Sequence, residues 1–324
     1  MCINDNVKVS ILVPVYNVEK YIGRCLESLF NQTFKNIEYI FVNDCTPDSS
    51  IKIIEESVRA YHLEDKCKLI QHDVNHGISQ TRNDCLKNAT GDYILFVDSD
   101  DYIEYDMVES LLRTALKENA DVTGCSYIEE FSDNCSVKHP QHYYNNHIEM
   151  MKAITLLTIK GVLWKLLIKR DVILRNHLSF PKDNSVNEDY YFCCKLFYFS
   201  NTFAGVDKFL YHYVRYNPNN LTKRSVENIN SQVLAIIEIE RFYREHDVYD
   251  SLKKELMKRK FLAKLPLLID RNCFDVERWR TVFPESNIAW KELNLSLKHL
   301  LLFLLARSPI SWIITLYYKS GIGK

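Results

Sequence analysis

The sequence contains no Cys-x-x-Cys pair, although ten of its 324 residues are cysteine. Cys193 and Cys194 are adjacent, and most of the other cysteines lie in apolar segments. This distribution argues against a disulfide framework or a cysteine-based zinc site, and it is typical of proteins in a reducing compartment. The first residues also lack the pattern of a cleaved signal peptide, so we expect a cytoplasmic location.

The sequence also lacks an apolar run of the roughly 18–20 residues that a helix needs to cross a bilayer. Its two most hydrophobic stretches, 300–305 and 310–318, are interrupted by the segment Arg-Ser-Pro at 307–309. One interpretation is an amphipathic hairpin lying on the inner face of the plasma membrane, with Trp312, Tyr317 and Tyr318 at headgroup level. The other is a helix pair packed on the rest of the protein.

No Gly-x-Gly-x-x-Gly motif follows the first predicted strand, which spans residues 7–15. Its absence argues against a dinucleotide-binding Rossmann domain. The segment 14–19 also has no glycine-rich phosphate loop, which argues against a nucleotidyltransferase. Internal repeats and low-complexity segments are absent as well.

The net charge of −1 conceals an uneven distribution. Residues 251–324 contain 14 Lys and Arg against 6 Asp and Glu, whereas the remainder of the chain is acidic. A basic C-terminal region suggests an anionic partner such as a membrane surface, or else a solvated helical face. We expect no nucleic-acid partner.

Apolar strands alternate with amphipathic helices through the first part of the chain. Strands are predicted at 7–15, 37–42, 68–72 and 93–97, and helices at 18–32, 51–60 and 78–89. Short loops between such elements are typical of an α/β fold with a mainly parallel sheet flanked by helices.

Three carboxylates follow the last of these strands within four positions, at Asp98, Asp100 and Asp101. Like charges at the carboxyl end of a buried strand repel one another unless a cation is present. Open α/β sheets bind ligands at this edge, and Mg²⁺ or Mn²⁺ prefers such oxygen ligands. We therefore predict a metal and nucleotide-diphosphate site here; the alternative is that these residues cap the next helix.

Four segments of the chain together resemble the family 2 glycosyltransferases of the GT-A fold, of the type that builds bacterial surface polysaccharides. They are Val9–Asn17, Val42–Asp44 with Thr46 and Asp48–Ser49, Thr81–Asn83, and Gly91–Asp101. The resemblance is dense over about the first 125 residues and reaches more weakly to about residue 225. It implies a GT-A catalytic domain at 1–225, with a nucleotide-sugar half at 1–125 and an acceptor half at 126–225, and a helical region at 226–324.

The resemblance also implies roles for individual residues. The nucleotide-sugar site would contain Pro14, Val15, Tyr16, Glu19, Asp44, Arg82, Asp98, Ser99 and Arg215. Pro14 and Tyr16 would line the base, Asp44 would accept a hydrogen bond from it, and Arg82 would approach the pyrophosphate. Asp100 would hold Mn²⁺ or Mg²⁺. The chain departs from many relatives at position 43, where Asn43 replaces an aspartate.

Two adjacent carboxylates, Glu188 and Asp189, open a predicted apolar helix. They resemble the Glu-Asp motif of the family, whose aspartate commonly serves as the general base. We assign Asp189 as the base and Glu188 as the second candidate, because successive helical residues point about 100° apart and only one should face the sugar. The structural alternative is that both favour the helix N-terminus through its dipole.

The segment around His212 and Arg215 resembles the family stretch that closes over the pyrophosphate. Arg215 is suited to bind phosphate bidentately. His212 is a candidate metal ligand, with packing between two tyrosines as the alternative. Trp164 is expected to be a core residue.

Residues 130–150 are expected to form a loop near the acceptor. Its three histidines, His139, His142 and His147, are either a metal cluster or scattered surface residues.

The sequence thus predicts a metal-dependent inverting glycosyltransferase. It would move a sugar from a nucleotide-diphosphate sugar, with uridine as the expected base, to a hydroxyl of a glycan or lipid-linked oligosaccharide in capsule, O-antigen or exopolysaccharide synthesis. A catalytically inactive sugar-binding or scaffold subunit of a polysaccharide assembly complex is the alternative.

Overall fold

The alternation of strands and helices produces an α/β unit, which is followed along the chain by a helical one. The structure, a computed structural model, describes residues 6–133, 135–181, 187–217 and 225–319. Contacts divide the chain into unit 1, residues 1–154 and 159–220, and unit 2, residues 155–158 and 221–324. The sequence analysis places its domain boundary at residue 225, and the contacts change unit after residue 220.

The secondary structure of unit 1 begins with a strand and continues in βα order. The strands are β1 (Val9–Val15), β2 (Ile37–Asn43), β3 (Cys67–Gln71), β4 (Tyr93–Phe96), β5 (Tyr102–Ile103), β6 (Val122–Glu130), β7 (Ser136–His139), β8 (Leu166–Lys169) and β9 (Phe203–Val214). The helices are α1 (Ile22–Phe30), α2 (Ser50–Ala60), α3 (Ile78–Asn88), α4 (Met107–Glu118), α5 (His147–Leu156), α6 (Arg170–Arg175) and α7 (Glu188–Phe199).

All of these strands belong to one sheet, in the order β3-β2-β1-β4-β8-β6-β9-β5, with β7 added beside β6. The pairs β1–β2, β2–β3, β1–β4 and β6–β9 are parallel, whereas β8 is antiparallel to both β4 and β6. Therefore β1, β2, β3, β4, β6 and β9 all run in one direction. Their carboxyl ends meet at one edge of the sheet, and the candidate site lies there. The mainly parallel α/β fold predicted from the sequence is confirmed.

Two neighbouring loops at this edge are fastened to each other. The carboxylate of Asp48 accepts hydrogen bonds from the backbone N–H of Glu19 at 2.8 Å and of Ser50 at 3.1 Å. In return, the Glu19 carboxylate accepts from the N–H of Ser49 at 3.1 Å. The backbone N–H of Asn17 donates to Thr46 Oγ1. These bonds hold the loop after β1 against the loop after β2.

The prediction of a loop over residues 130–150 is wrong for 136–139 and for 147–150, whereas residues 140–146 contain neither helix nor strand. Strand β7 pairs with β6 in an antiparallel hairpin, and α5 begins at His147. Most of β7 is exposed, so its sequence lacks the apolar alternation that identifies a half-buried strand. The three histidines also separate: His139 contacts Glu129 at 3.0 Å, while His147 contacts the carbonyl oxygens of residues 197 and 198.

Unit 2 consists of helices, as expected for residues beyond 225. They are α8 (Val226–Glu245), α9 (Tyr249–Lys264), α10 (Pro266–Ile269), α11 (Val276–Thr281), a 3-10 helix (Pro284–Glu292), α12 (Leu297–Ala306) and α13 (Trp312–Lys319). Helices α12 and α13 form the predicted hairpin. The Arg280 side chain donates to Ala306 O at 3.0 Å and to Ser311 Oγ at 2.8 Å, which secures the connection between them.

The hairpin has one packed face and one exposed apolar face. Leu302 and Phe303 are buried in the core of unit 2, whereas Leu297 is 74% exposed and Trp312 is 58% exposed. The Tyr318 hydroxyl donates to Leu268 O at 2.8 Å, so this tyrosine belongs to the packing of unit 2 and not to a headgroup layer as predicted. Within the described residues, no helix combines the length and apolar content that a membrane span requires.

Candidate active site

Asp101, the third carboxylate after β4, fastens the loop that follows β4 to strand β9. Its side chain is 1% exposed, and it accepts hydrogen bonds from Tyr211 Oη and from the Val214 N–H, both at 2.7 Å. Burial, together with the charges of Asp100 and Asp98, raises the pKa of Asp101 well above its usual range. Asp101 is therefore a structural residue, and the two preceding carboxylates are left for binding.

Asp100 is partly buried and accepts a hydrogen bond from Asn217 Nδ2 at 2.7 Å. Burial and the neighbouring charge of Asp98 raise the pKa of Asp100 to about 6. A site that disfavours an ionised carboxylate in this way gains stability when a cation binds. Asn217 was not identified from the sequence, because an asparagine in a turn carries no distinguishing signal.

Arg82 on α3 joins three carboxylates from two other parts of the fold. Its side chain is 4% exposed; Nη2 donates to Asp98 Oδ1 at 3.0 Å, and Nη1 donates to Asp189 Oδ1 at 2.5 Å and to Glu188 Oε1. Burial lowers the pKa of Arg82, but the three carboxylates outweigh it and raise the pKa overall. In this arrangement Arg82 links α7 to the end of β4, so its predicted contact with a pyrophosphate would be additional to these bonds.

Glu188 and Asp189 both approach the same guanidinium nitrogen, against the expectation that only one would face the site. Both side chains lie in the first turn of α7 and pair with Arg82 Nη1. Two adjacent side chains can converge in this way because Arg82 lies at the helix N-terminus, where both reach it from the first turn.

The two carboxyl groups differ in their environment. Burial raises the pKa of both, and the raised value is only partly offset by Arg82. The pKa of Glu188 is raised further, since its Oε2 is buried without a hydrogen-bond partner. Different pKa values in a carboxylate pair separate their roles. Burial therefore disfavours the ionised form of Glu188 more than that of Asp189.

The predicted nucleotide-binding residues lie on the loops at the same edge. Pro14 and Val15 are buried within β1, whereas Tyr16, directly after the strand, is 48% exposed. Of these three, Tyr16 presents a surface on which a base could stack. Glu19 is engaged in the loop contacts with Ser49 described above, and Ser99 is 5% exposed between the two site aspartates.

Asp44 lies at the end of β2 and is 4% exposed. Its carboxylate accepts from the N–H of His76 at 2.7 Å and of Gly77 at 2.9 Å, and His72 Nδ1 lies 2.9 Å from Oδ1. Gly77 has φ +82°, a conformation that glycine adopts without strain, at the start of α3. Asp44 thus holds the turn that positions Arg82. A carboxylate accepts about four hydrogen bonds, so one position remains for a base N–H.

Arg215 and His212 lie at the end of β9. The Arg215 Nε pairs with Glu129 at 3.1 Å, so the phosphate contact predicted for Arg215 would be additional to this bond. His212 Nδ1 lies 2.9 Å from Glu130 Oε1 and Nε2 lies 2.9 Å from Glu104 Oε1. Both ring nitrogens of His212 are therefore occupied by carboxylates in this structure, which does not support a metal-ligand role.

Lys160 is a charged residue of the site that the sequence analysis missed. Its ammonium lies 4.1 Å from the Tyr213 ring centroid, 4.6 Å from that of Tyr127 and 5.1 Å from that of Trp164, which is a buried core residue as predicted. Burial lowers the pKa of Lys160 to about 8, although the charges of Glu129, Asp101 and Asp189 favour its ionised form. The three rings come from segments far apart in the sequence, so no local sequence pattern indicated that they surround Lys160.

The arrangement places carboxylates and one buried arginine at one sheet edge. The oxygen chemistry of Asp98 and Asp100 fits Mg²⁺ or Mn²⁺. Among the described residues no group of three or more His, Cys, Asp or Glu side chains is placed to bind a metal ion. A cation at Asp100 would therefore complete its coordination with phosphate oxygens and water, as Mg²⁺ commonly does.

Comparison with known proteins agrees with this fold. The chain is 36% identical over 255 residues to EpsH of Bacillus subtilis, a match that covers 76% of this chain and 72% of EpsH. It is 33% identical over 276 residues to EpsJ of the same organism, with 82% and 78% covered. Its fold resembles the crystal structure of residues 1–349 of Staphylococcus aureus TarS in complex with UDP-GlcNAc, with TM-score 0.71, 22% identity and coverage of 97% and 92%. TarS is a poly(ribitol-phosphate) beta-N-acetylglucosaminyltransferase.

The model of the family named Glycosyl transferase family 2 matches residues 10–210. This range extends from β1 into β9 and includes the three carboxylates after β4, Arg82 and the Glu188–Asp189 pair. The match and the two Bacillus relatives show that this chain belongs to glycosyl transferase family 2 and is a glycosyltransferase.

Proposed function

We propose that this protein is a metal-dependent, inverting glycosyltransferase that moves a hexose or related sugar from a UDP-sugar to a hydroxyl of a glycan or lipid-linked acceptor in surface-polysaccharide synthesis. The observation that carries the proposal is the bonding of Asp189 and Asp98 to one buried arginine, Arg82. It couples a candidate base on α7 to the carboxylates that would face the donor. The function of TarS as a polymer glycosyltransferase supports the acceptor class.

Inversion requires one in-line displacement and one base. As the acceptor oxygen attacks the anomeric carbon, Asp189 takes its proton and the bond to the nucleoside diphosphate breaks. Arg82 holds the Asp189 carboxylate in place, and a protonated Glu188 would avoid a second negative charge beside it. Asp98 and Asp100 would hold the metal-bound diphosphate, and the metal would neutralise the charge that develops on this leaving group.

A uridine donor is supported by the bound UDP-GlcNAc in the TarS crystal structure. Tyr16 offers an exposed ring beside Asp44, and both follow strands that end at the site edge. We expect UDP-sugars to raise the melting temperature more than GDP-, dTDP- or CMP-sugars in the presence of Mn²⁺, because ligands that bind only the native state stabilise it. Nucleotide release would then be measured for each stabilising donor. Preferential stabilisation by another nucleotide would contradict the uridine assignment.

Replacing Asp100 with asparagine tests the metal proposal. The raised pKa of Asp100 means that the native state binds a proton more tightly than the unfolded chain does. Metal-free wild type therefore loses stability as pH rises from about 4 towards 6, and does not regain it at higher pH. Asp100→Asn should have a higher melting temperature than wild type at pH 7.5 in EDTA, with the difference shrinking towards pH 4.

The same variant should lose the further stabilisation that Mn²⁺ and UDP produce together in wild type. Glu118→Gln, at an exposed carboxylate at the end of α4, is the matched control and should retain it. If Asp100→Asn keeps full Mn²⁺-dependent UDP binding and turnover, the metal assignment is wrong.

We also propose that the α12–α13 hairpin rests on an anionic membrane surface. The exposed side chains of Leu297, Leu301, Leu304, Trp312 and Leu316 form an apolar face. Lys298 and Arg307 are exposed on the same hairpin, and the region from 251 onward is basic. Apolar burial and attraction to anionic lipids together determine interfacial binding.

Leu301→Ser with Trp312→Ser should release the protein from phosphatidylglycerol-containing vesicles in a sedimentation assay. Both side chains are more than half exposed, so the melting temperature should change little. Leu234→Ser, at an exposed leucine on α8, serves as a control. Undiminished vesicle binding by the double variant, or no binding by wild type, would contradict the membrane proposal.

A further inference from the structure

A second cleft opens at the same sheet edge, where the parallel strands β6 and β9 end. Its volume is about 390 Å³, and Arg24, Glu130, Phe131, Ser132, Cys135, Ser136 and Tyr216 line it. The proposed donor site uses none of these residues. Their chemistry is mixed: one arginine, one carboxylate, two aromatic rings and small side chains.

Arg24 is held in a defined orientation by its neighbours. Its guanidinium lies 4.0 Å from the centroid of the Tyr102 ring, and Nη2 donates to Tyr216 Oη at 2.7 Å. Nη1 lies 3.7 Å from Glu130 Oε2. The side chain is still 40% exposed. A planar donor fixed in this way loses little conformational freedom when it binds a ligand.

Glu130 places an acceptor next to that donor. Its Oε1 accepts a hydrogen bond from the Tyr102 hydroxyl and lies 2.9 Å from His212 Nδ1. These two contacts fix the orientation of the carboxylate. The other oxygen, Oε2, is the one nearer Arg24. His212 also contacts Glu104 at 2.9 Å. The carboxylates of Glu104 and Glu130 thus outnumber the single guanidinium, and this balance disfavours an anionic ligand.

The cleft is joined to the donor site by the chain itself. Tyr216 lines the cleft, and the next residue, Asn217, donates to Asp100 at 2.7 Å. The ring of Tyr21 lies 6.1 Å from that of Tyr216, on the segment that leads from the β1 loop into α1. A ligand in the cleft would therefore lie beside a sugar donor bound at Asp100.

We propose that this cleft binds a neutral pyranose of the acceptor glycan, an inference that rests on the proposed function. A sugar diol both donates and accepts hydrogen bonds, and it would donate to Glu130 and accept from Arg24. The half-buried rings of Phe131 and Tyr216 supply the apolar surface that the C–H face of a pyranose needs.

The probes are methyl β-glucopyranoside, methyl β-galactopyranoside and methyl N-acetyl-β-glucosaminide, with methyl β-glucuronide and glucose 6-phosphate as anionic counterparts. Binding is measured by saturation-transfer NMR and titration on the full chain. We expect at least one neutral glycoside to bind better than either anion.

Arg24→Gln should weaken the binding of this neutral glycoside by about tenfold or more, the loss expected for hydrogen bonds from a charged donor. Arg59→Gln, at an exposed arginine on α2, is the matched control and should bind normally.

Ser136→Trp provides a second variant, because it fills the cleft from the exposed strand β7 and leaves Arg24 intact. It should also weaken the neutral probe. Tighter binding of the anions, or neutral binding that survives both variants, would overturn the subsite. Nucleotide release from UDP-sugars is assayed separately: if wild type shows none while both variants still lose the probe, the proposed function fails and the sugar site stands.

Discussion

Replacing Asp189 with asparagine should lower kcat by about 10²–10⁴-fold, the usual contribution of a general base. Asparagine keeps the size of the side chain and can still accept a hydrogen bond from Arg82, but it cannot take the acceptor proton. That transfer occurs only in the transition state, so the affinity for the donor should change little. Turnover is measured by nucleotide release and donor affinity by calorimetry.

The pH dependence gives a second test of the same residue. Burial raises the pKa of Asp189 to about 6, against the ordinary aspartate value near 4. A base must be deprotonated to act, so kcat/KM for wild type should fall as pH decreases through this raised pKa. The acidic limb should disappear from the residual activity of Asp189→Asn, because the titrating group is absent.

Glu188→Gln is the matched control for this pair. If Glu188 is already neutral at pH 7, glutamine reproduces its charge and kcat should fall by less than about tenfold. A large loss in Glu188→Gln with near-normal Asp189→Asn would reverse the assignment of the base. Loss of donor affinity in both variants would instead mean that the pair is structural.

Replacing Arg82 with methionine should reduce the free energy of unfolding by about 3–5 kcal/mol, the range observed when one partner of a buried ion pair is removed. Arg82 is 4% exposed and holds Asp98, Glu188 and Asp189. Without it, carboxylates remain in a poorly solvated site, and their pKa values rise. The loss of stability should therefore be largest at high pH and should decrease as pH falls and they become protonated. Urea denaturation at pH 5 and pH 8 measures both effects.

A triple variant separates this electrostatic cause from lost packing. Adding Glu188→Gln and Asp189→Asn to Arg82→Met removes two of the three carboxyl groups left without their partner, so much of the stability should return. Arg59→Met at an exposed site should change stability by less than about 0.5 kcal/mol. If the triple variant is no more stable than Arg82→Met alone, the arginine acts mainly through packing.

The sequence predicted the nucleotide-sugar half of the fold well, because the signals there are local. The buried strands β1, β2 and β4 are mostly apolar, and their boundaries lie within about two residues of the predicted ones. The edge strand β7 was missed because it is exposed and short. Its pairing with β6 depends on backbone hydrogen bonds, which do not produce a recognisable pattern of apolar and polar side chains.

For the candidate site residues too, the sequence predicted what depends on local signals and missed what depends on long-range contacts. The order of the four segments that carry the resemblance, which include Arg82, Asp98 and Asp100, was sufficient to recognise the family. The hydrogen-bond and ion-pair partners of these residues could not be predicted from the sequence, because each contact joins segments that are far apart along the chain. Arg82 and Asp189 are 107 positions apart, and Asn217 and Asp100 are 117 apart.

By itself, the sequence determined the α/β class, the family and the identity of the carboxylates, since strand hydrophobicity and motif order are properties of short segments. Only the tertiary structure decided that burial raises the pKa of Glu188 and Asp189, that Arg82 is shared by three carboxylates, that His212 is held between two glutamates, and that Lys160 lies among three rings. Those outcomes depend on burial and on distances of a few ångströms between side chains. Both arise only when the parallel strands bring their carboxyl ends to one edge of the sheet.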